Sequence, residues 1–182
     1  MRQIGSNSRP VVAPSDLSGM RMRVPAGELF NDLFRTLGAE PVTVNSIDIH
    51  SALKSGKVDA QENPLAYMDF FKHYEVMKYV SMTNHMWSGF NMLANQAVWN
   101  KIPADIRASI VRNVTRAVRL QRQDQQKANA AARTSLAGHG LAFNEVDQAA
   151  FRAKMAGVYT DWKKMLGIRA WSLLEAEIGK LG

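Results

Sequence analysis

The chain has 182 residues, with 23 Lys and Arg against 16 Asp and Glu for a formal charge of +7, and 46% of its residues are hydrophobic. That balance belongs to a globular chain long enough to bury one sizeable core, not to a disordered one. The absence of cysteine excludes disulfide scaffolds, cysteine-type zinc fingers, iron–sulfur clusters and thiol catalysis, and leaves the compartment open.

The first eight residues, MRQIGSNS, are polar and hold no apolar stretch of the secretory-signal kind. Met20–Val24 follows the turn Ser18-Gly19 and reads as a strand closed by Pro25. Glu28–Leu37 has helical spacing and stops at Gly38, and Pro41–Val44 is strand-like. A short helix is expected over Ile47–Lys54, with Ser46 as N-cap and Gly56 as its stop. Val58–Gln61 reads as a strand. Asn63-Pro64 then has the pattern of an N-cap followed by a first-turn proline, opening a helix through Tyr67, Phe70, Phe71 and Tyr74. Strands are expected at Lys78–Asn84 and Phe90–Ala94, and a brief one at Leu141–Phe143. Two amphipathic helices, 147–165 and 168–180, close the chain. Strands alternating with short helices imply βαβ units, so the expected class is α/β with a mostly parallel sheet and a helical C-terminal part.

Between these parts lies a long helix, opened by Pro103 and closed near Gly138. Residues 101–138 hold eight basic residues and two acids, so six of the seven net charges belong to this one segment. Ile106, Ile110, Val114 and Val118 form an apolar stripe, and Arg112, Arg116 and Arg119 form another face. Those arginines permit a phosphate-tracking, nucleic-acid-binding reading. A solvated face of an amphipathic helix explains them as well, and with no aromatic among them base stacking has no platform.

No catalytic set stands out. The four histidines are scattered without an HExxH spacing, no G-x-S-x-G elbow presents a serine, and no glycine-rich phosphate loop occurs. Neither metal nor cofactor is expected, and the chain does not read as an enzyme. Polar residues do gather at strand ends: Arg23 beside Pro25, Asn63 at a strand-to-helix junction, and His85 after another strand. In open α/β sheets ligands bind beyond the carboxyl ends of strands, where an arginine can hold a carboxylate by paired, charge-assisted hydrogen bonds. Each residue also has a plain structural explanation: a surface arginine, a helix cap and a packing histidine.

The segment Asp16-Leu17-Ser18-Gly19-Met20-Arg21-Met22-Arg23-Val24-Pro25 resembles the DLxGxKxRVP signature of TRAP-type solute-binding proteins, the receptors of tripartite ATP-independent periplasmic transporters. Leu37-Gly38-Ala39, then Ala52 to Pro64 with its VDAQENP run, then Tyr79-Val80-Ser81-Met82-Thr83-Asn84-His85 follow in the family's order. The resemblance implies a periplasmic-binding-protein-like fold of two α/β lobes around a cleft, here incomplete. It also implies a periplasmic receptor that hands an organic acid (a dicarboxylate, keto acid or sugar acid) to the transporter's membrane subunits. The family arginine that pairs with the carboxylate falls on Arg23, the ligand-facing asparagine on Asn63, and a cleft-lining histidine on His85. A further family arginine has Arg2 as its nearest match, and a position often aromatic in the family falls on Ser46. Where some sugar-acid receptors carry Asn after RVP, this chain has Ala26. Family members are substantially longer, so the chain is expected to correspond to their C-terminal half. That half would comprise a lobe over 1–100, a connecting helix over 101–138 and packing elements over 139–182. With half the cleft wall missing, apolar surface would be exposed and binding weak or absent unless the other half is supplied.

Overall fold

In the computed structural model, which describes residues 1–181, the chain opens with a strand that its polar start does not announce: β1, Arg2–Ser6. A 3-10 turn at Pro14–Leu17 leads into β2, Arg21–Val24. Helix α1 covers Glu28–Thr36, with an acid in its first turn and Arg35 in its last, as the helix dipole favours. Gly38, at φ +93°, turns the chain into β3, Glu40–Thr43. A 3-10 turn at Ser46–Asp48 runs into α2, Ile49–Lys54. Then come β4, Ala60–Asn63, α3, Leu65–Phe70, and β5, Tyr79–Met86. Helix α4, Gln96–Lys101, is capped by Asn95 and precedes the long α5, Ala104–Gly138. Strand β6, Ala142–Asn144, and helices α6, Gln148–Lys154, α7, Ala156–Leu166, and α8, Ile168–Ile178, complete the order.

The six strands form one sheet in the order β3-β2-β4-β1-β5-β6. Three of the five pairings are parallel, but β1 is antiparallel to both β4 and β5. The sheet is therefore mixed, because a strand entering from the chain's start needs no crossover helix to reach its place. Alternation along the strands separates two apolar clusters. Met22, Val24, Ile4 and Ala60 pack with Leu33 and Phe34 of α1 and with Phe151, Met155 and Val158. Val80, Ile49, Leu53, Leu65 and Met68 pack with Ala132 and Leu136 from the end of α5.

Several sequence expectations are corrected here. Phe90–Ala94 is not a strand: no neighbour pairs with it, and Phe90 and Leu93 are 100% and 87% exposed. Ser46 caps nothing through its side chain, and Asn63 ends β4 instead of capping α3, whose N-cap is Pro64. The run through Phe71 and Tyr74 is broken by Lys72, whose left-handed φ of +52° starts a 3-10 turn at His73–Glu75. On α5, Arg112, Arg116 and Arg119 are exposed as expected of a solvated face. The apolar stripe is little better covered: residues 115–128 are all exposed, Val118 among them. No helix among the described residues is long and apolar enough to cross a membrane.

Candidate functional site

Strands β2 and β4 run parallel and β1 runs against β4. The carboxyl ends of β2 and β4, the start of β1 and the end of β5 therefore meet at one edge of the sheet. That edge carries Arg23, Asn63, Arg2 and His85. Strand β4 explains why the place is unusual. Its four residues, Ala-Gln-Glu-Asn, are all buried, although a strand covered on both faces is ordinarily apolar. Buried polar groups persist only when they are bonded to one another or held for a ligand.

Glu62 is the hub. Its side chain has no exposed surface, and Arg2 grips it with Nε on one carboxylate oxygen and Nη2 on the other, the latter at 2.5 Å. The same Nη2 donates to the Glu62 carbonyl at 2.8 Å and to Asn63 Oδ1 at 3.0 Å. His85 Nε2 lies 3.3 Å from Glu62 Oε2, and its Nδ1 lies 2.7 Å from Thr83 Oγ1. The arrangement that satisfies all three groups has Nε2–H donating to the carboxylate and the Thr83 hydroxyl donating to Nδ1. Burial disfavours the Glu62 charge, yet the bonds from His85 and Arg2 outweigh it and hold the carboxyl below its usual range. Phe30 lies under the Arg2 guanidinium, 5.5 Å from its carbon, and Phe34 meets the His85 ring edge-on at 5.6 Å.

A kink in β5 sets the aim of His85. The β1–β5 register shifts between Arg2 and Ile4, and Asn84 sits at φ +45°, a conformation asparagine tolerates better than most residues. Gln3, itself buried, holds that residue at both ends: its Nε2 donates to Asn84 Oδ1 at 2.7 Å, and its Oε1 accepts from the Asn84 N–H at 2.9 Å. Such a bulge re-aims the side chains that follow it.

Arg23 stands differently. It lies on the opposite face of the sheet from Glu62, in register with Gln61, and is 3% exposed. Its Nε donates to the Val44 carbonyl at 2.9 Å. No carboxylate among the described residues comes within ion-pair distance of it. Burial lowers its pKa, the charges of Glu62 and Tyr67 act to raise it, and that of Arg2 opposes them. Beside it, Asn63 Nδ2 donates to Gln61 Oε1 at 2.6 Å. His73 packs against Tyr67 and Phe71, with ring centroids 5.8 and 6.2 Å away. Burial, with the nearby charges of His50 and Arg23, drives its pKa down to about 4.

The structure thus brings Arg2, Asn63 and His85 into one bonded network and Arg23 to the same edge of the sheet. Ser46 is not part of the network: it is exposed, and only its carbonyl is engaged, accepting from the Tyr67 hydroxyl at 3.3 Å. Sequence reasoning missed Glu62, Gln3, Gln61, Thr83, Tyr67 and His73. Glu62 lay in plain view between two polar neighbours, but only a buried polar strand reveals what it does. No three His, Asp or Glu side chains among the described residues gather closely enough to hold a metal ion.

An arrangement of this kind can hold an anion: the Arg23 guanidinium has one backbone acceptor and no carboxylate partner among the described residues, and the Asn63 amide stands at the same end of the strands. Residues 1–165 match the family described as bacterial extracellular solute-binding protein, family 7. A solute-binding protein of Roseobacter denitrificans, RD1_1052, is 34% identical over 148 residues, covering 81% of this chain and 46% of that protein. The C4-dicarboxylate-binding periplasmic protein DctP of Rhodobacter capsulatus is 32% identical over 108 residues, covering 59% of this chain and 32% of that one. Among solved structures, a TRAP periplasmic solute-binding protein from Polaromonas sp. JS666 bound to D-erythronate superposes with a TM-score of 0.86 at 27% identity. It covers 92% of this chain and 56% of that one. The chain spans half or less of the length of the curated relatives it matches.

Proposed function

Since the chain belongs to family 7 of the bacterial extracellular solute-binding proteins, we propose that it forms the carboxylate-gripping part of a TRAP-type solute receptor. Its solute is an organic acid, a dicarboxylate, keto acid or sugar acid, delivered in the periplasm to the transporter's membrane subunits. One observation carries this reading: Arg23 is buried, bonded once to a backbone carbonyl, and has no ion-pair partner among the described residues. A buried charge is costly unless something pairs with it, and a solute carboxylate supplies both the opposite charge and the acceptors that the free N–H groups lack. The ligands of relatives support the same class, since the Polaromonas protein holds D-erythronate and RD1_1052 holds L-galactonate. Arg23 neutralises the carboxylate, and Asn63, held by Gln61 and Arg2, fixes its orientation.

A hydrogen bond to a charged group contributes about 1.5–3 kcal/mol, which is roughly ten- to a hundredfold in affinity. Arg23→Gln is therefore expected to weaken carboxylate binding at least tenfold, read by NMR titration, which detects weak as well as tight binding. Unchanged affinity in a folded Arg23→Gln variant would remove Arg23 from the site.

A further inference from the structure

Arg23 and His73 come from different elements and meet the same apolar surroundings. The Arg23 Nε donates to the carbonyl of Val44, a member of the second apolar cluster. Tyr67 of α3 packs on that cluster too. Its hydroxyl donates to the Ser46 carbonyl, two residues beyond Val44, and its ring centroid lies 5.8 Å from that of His73. The His73 side chain is buried and its Nδ1 has no hydrogen-bond partner, so nothing there favours a charged ring. Around it, α2 contributes His50, which is paired with Glu75 of the turn's own residues at 3.0 Å. From α3 come Tyr67 and Asp69, whose carboxylate accepts from Ser135. At the end of α5, His139 stacks on Tyr74 at 3.8 Å. Of the two charged groups that oppose a proton on His73, His50 and Arg23, only the arginine is permanently charged.

We propose that an anion and a proton enter this site together: the anion pairs with Arg23, and the His73 ring takes up a proton from water. The coupling rests on the carboxylate reading above, which supplies the anion. Protonating His73 while Arg23 is bare would put two like charges into one poorly solvated cluster, where they repel strongly. With an anion on Arg23, the added proton meets a neutralised pair instead. Linkage is reciprocal, so the proton strengthens the hold on the anion by the same factor as the anion strengthens the hold on the proton. The site therefore grips its solute more tightly as pH falls and loosens as pH rises, with His73 as the residue that senses the change.

NMR titration of the full chain with D-erythronate, following the His73 ring signal, tests this. At pH 5 the ring of the unliganded chain, with its pKa at about 4, is about one-tenth protonated. Saturation with D-erythronate is expected to bring it to about half, a rise of about one pH unit in its pKa. By reciprocity, binding is then about twofold tighter at pH 5 than at pH 7.5, and His73→Leu is expected to lose that gain. Arg23→Gln without solute should shift the ring in the same direction, because it removes the opposing charge. A ring unmoved by saturating erythronate would overturn the proposal while leaving the carboxylate reading intact, and this comparison needs no variant. An equal gain in affinity at pH 5 in a folded His73→Leu variant, or an unmoved ring in a folded Arg23→Gln variant, would also overturn it. Absence of erythronate binding at both pH values would remove the carboxylate reading and this inference with it.

Discussion

His73 shows how much one buried residue can report. It is 1% exposed, its Nδ1 has no hydrogen-bond partner, and its pKa falls from 6.5 to about 4. The depressed value means that between pH 6.5 and 4 the unfolded chain binds a proton that the folded chain refuses. Stability conferred by the neutral ring is therefore complete above the unfolded value and is lost as pH falls through 6.5 towards 4. Between pH 7.5 and 5 the loss from this residue is about 2 kcal/mol. The carboxyls held below their usual range, Asp16, Asp59, Glu62 and Glu175, lose their contribution at lower pH and do not blur this window. Urea unfolding at the two pH values is expected to show that loss in the wild type and a smaller one, by about 2 kcal/mol, in His73→Leu. Equal slopes in both would show that the ring is protonated in the folded state. The position was invisible beforehand because four scattered histidines carry no pattern, and burial is a property of the fold.

At the scale of elements, α5 is two structures in one. Its last turns pack Ala132 and Leu136 against α3, with Ser135 Oγ donating to Asp69 at 2.8 Å. The fourteen residues before Asn129, by contrast, touch little and are all exposed. A helix without tertiary packing is marginal in water, so backbone amides over 115–128 are expected to exchange much faster than those over 132–138, measured by hydrogen–deuterium exchange. Mutations should divide in the same way. Leu136→Ala is expected to cost about 2–5 kcal/mol as a core truncation, while Val118→Ala should cost less than about 1 kcal/mol. Similar costs at the two positions would mean that the exposed stretch is packed. Periodicity predicted the helix over its whole length, since that depends only on spacing. It also marked an apolar stripe through Val118, which stands exposed there, because a stripe is buried only where a neighbour exists to cover it.

On the scale of the whole molecule, apolar surface is the conspicuous feature. Trp87, Phe90, Met92 and Leu93 stand exposed between β5 and α4, and Ile168, Leu173 and Ile178 stand exposed on α8. Contiguous exposed patches bind dyes and other apolar surfaces. The double variant Phe90→Ser/Leu93→Ser is expected to lower the fluorescence of bound anilinonaphthalene sulfonate and to change Tm by less than about 2 °C, since neither side chain supports the core. A large fall in Tm would show that this segment is packed. The net charge belongs to the same picture: the basic residues of the 101–138 segment are spread along a mostly exposed helix, whereas Arg2, Arg23 and Glu62 at the candidate site add only one to the total.

By itself the sequence determined the α/β class, most of the strands and helices, and the motif residues Arg23, Asn63 and His85. Each of these is written in local spacing or in a short run of side chains. Strand β1 escaped because Arg-Gln-Ile-Gly-Ser has no alternation to read, being buried almost throughout. The Phe90–Ala94 run had strand character and no partner, and a strand exists only through its partner's hydrogen bonds. Only the tertiary structure decided that Arg2 is bound to Glu62 while Arg23 is not. The two arginines look alike in sequence, and what separates them is the register that sets Glu62 opposite Ile4, on one face of the sheet, and Arg23 opposite Gln61, on the other.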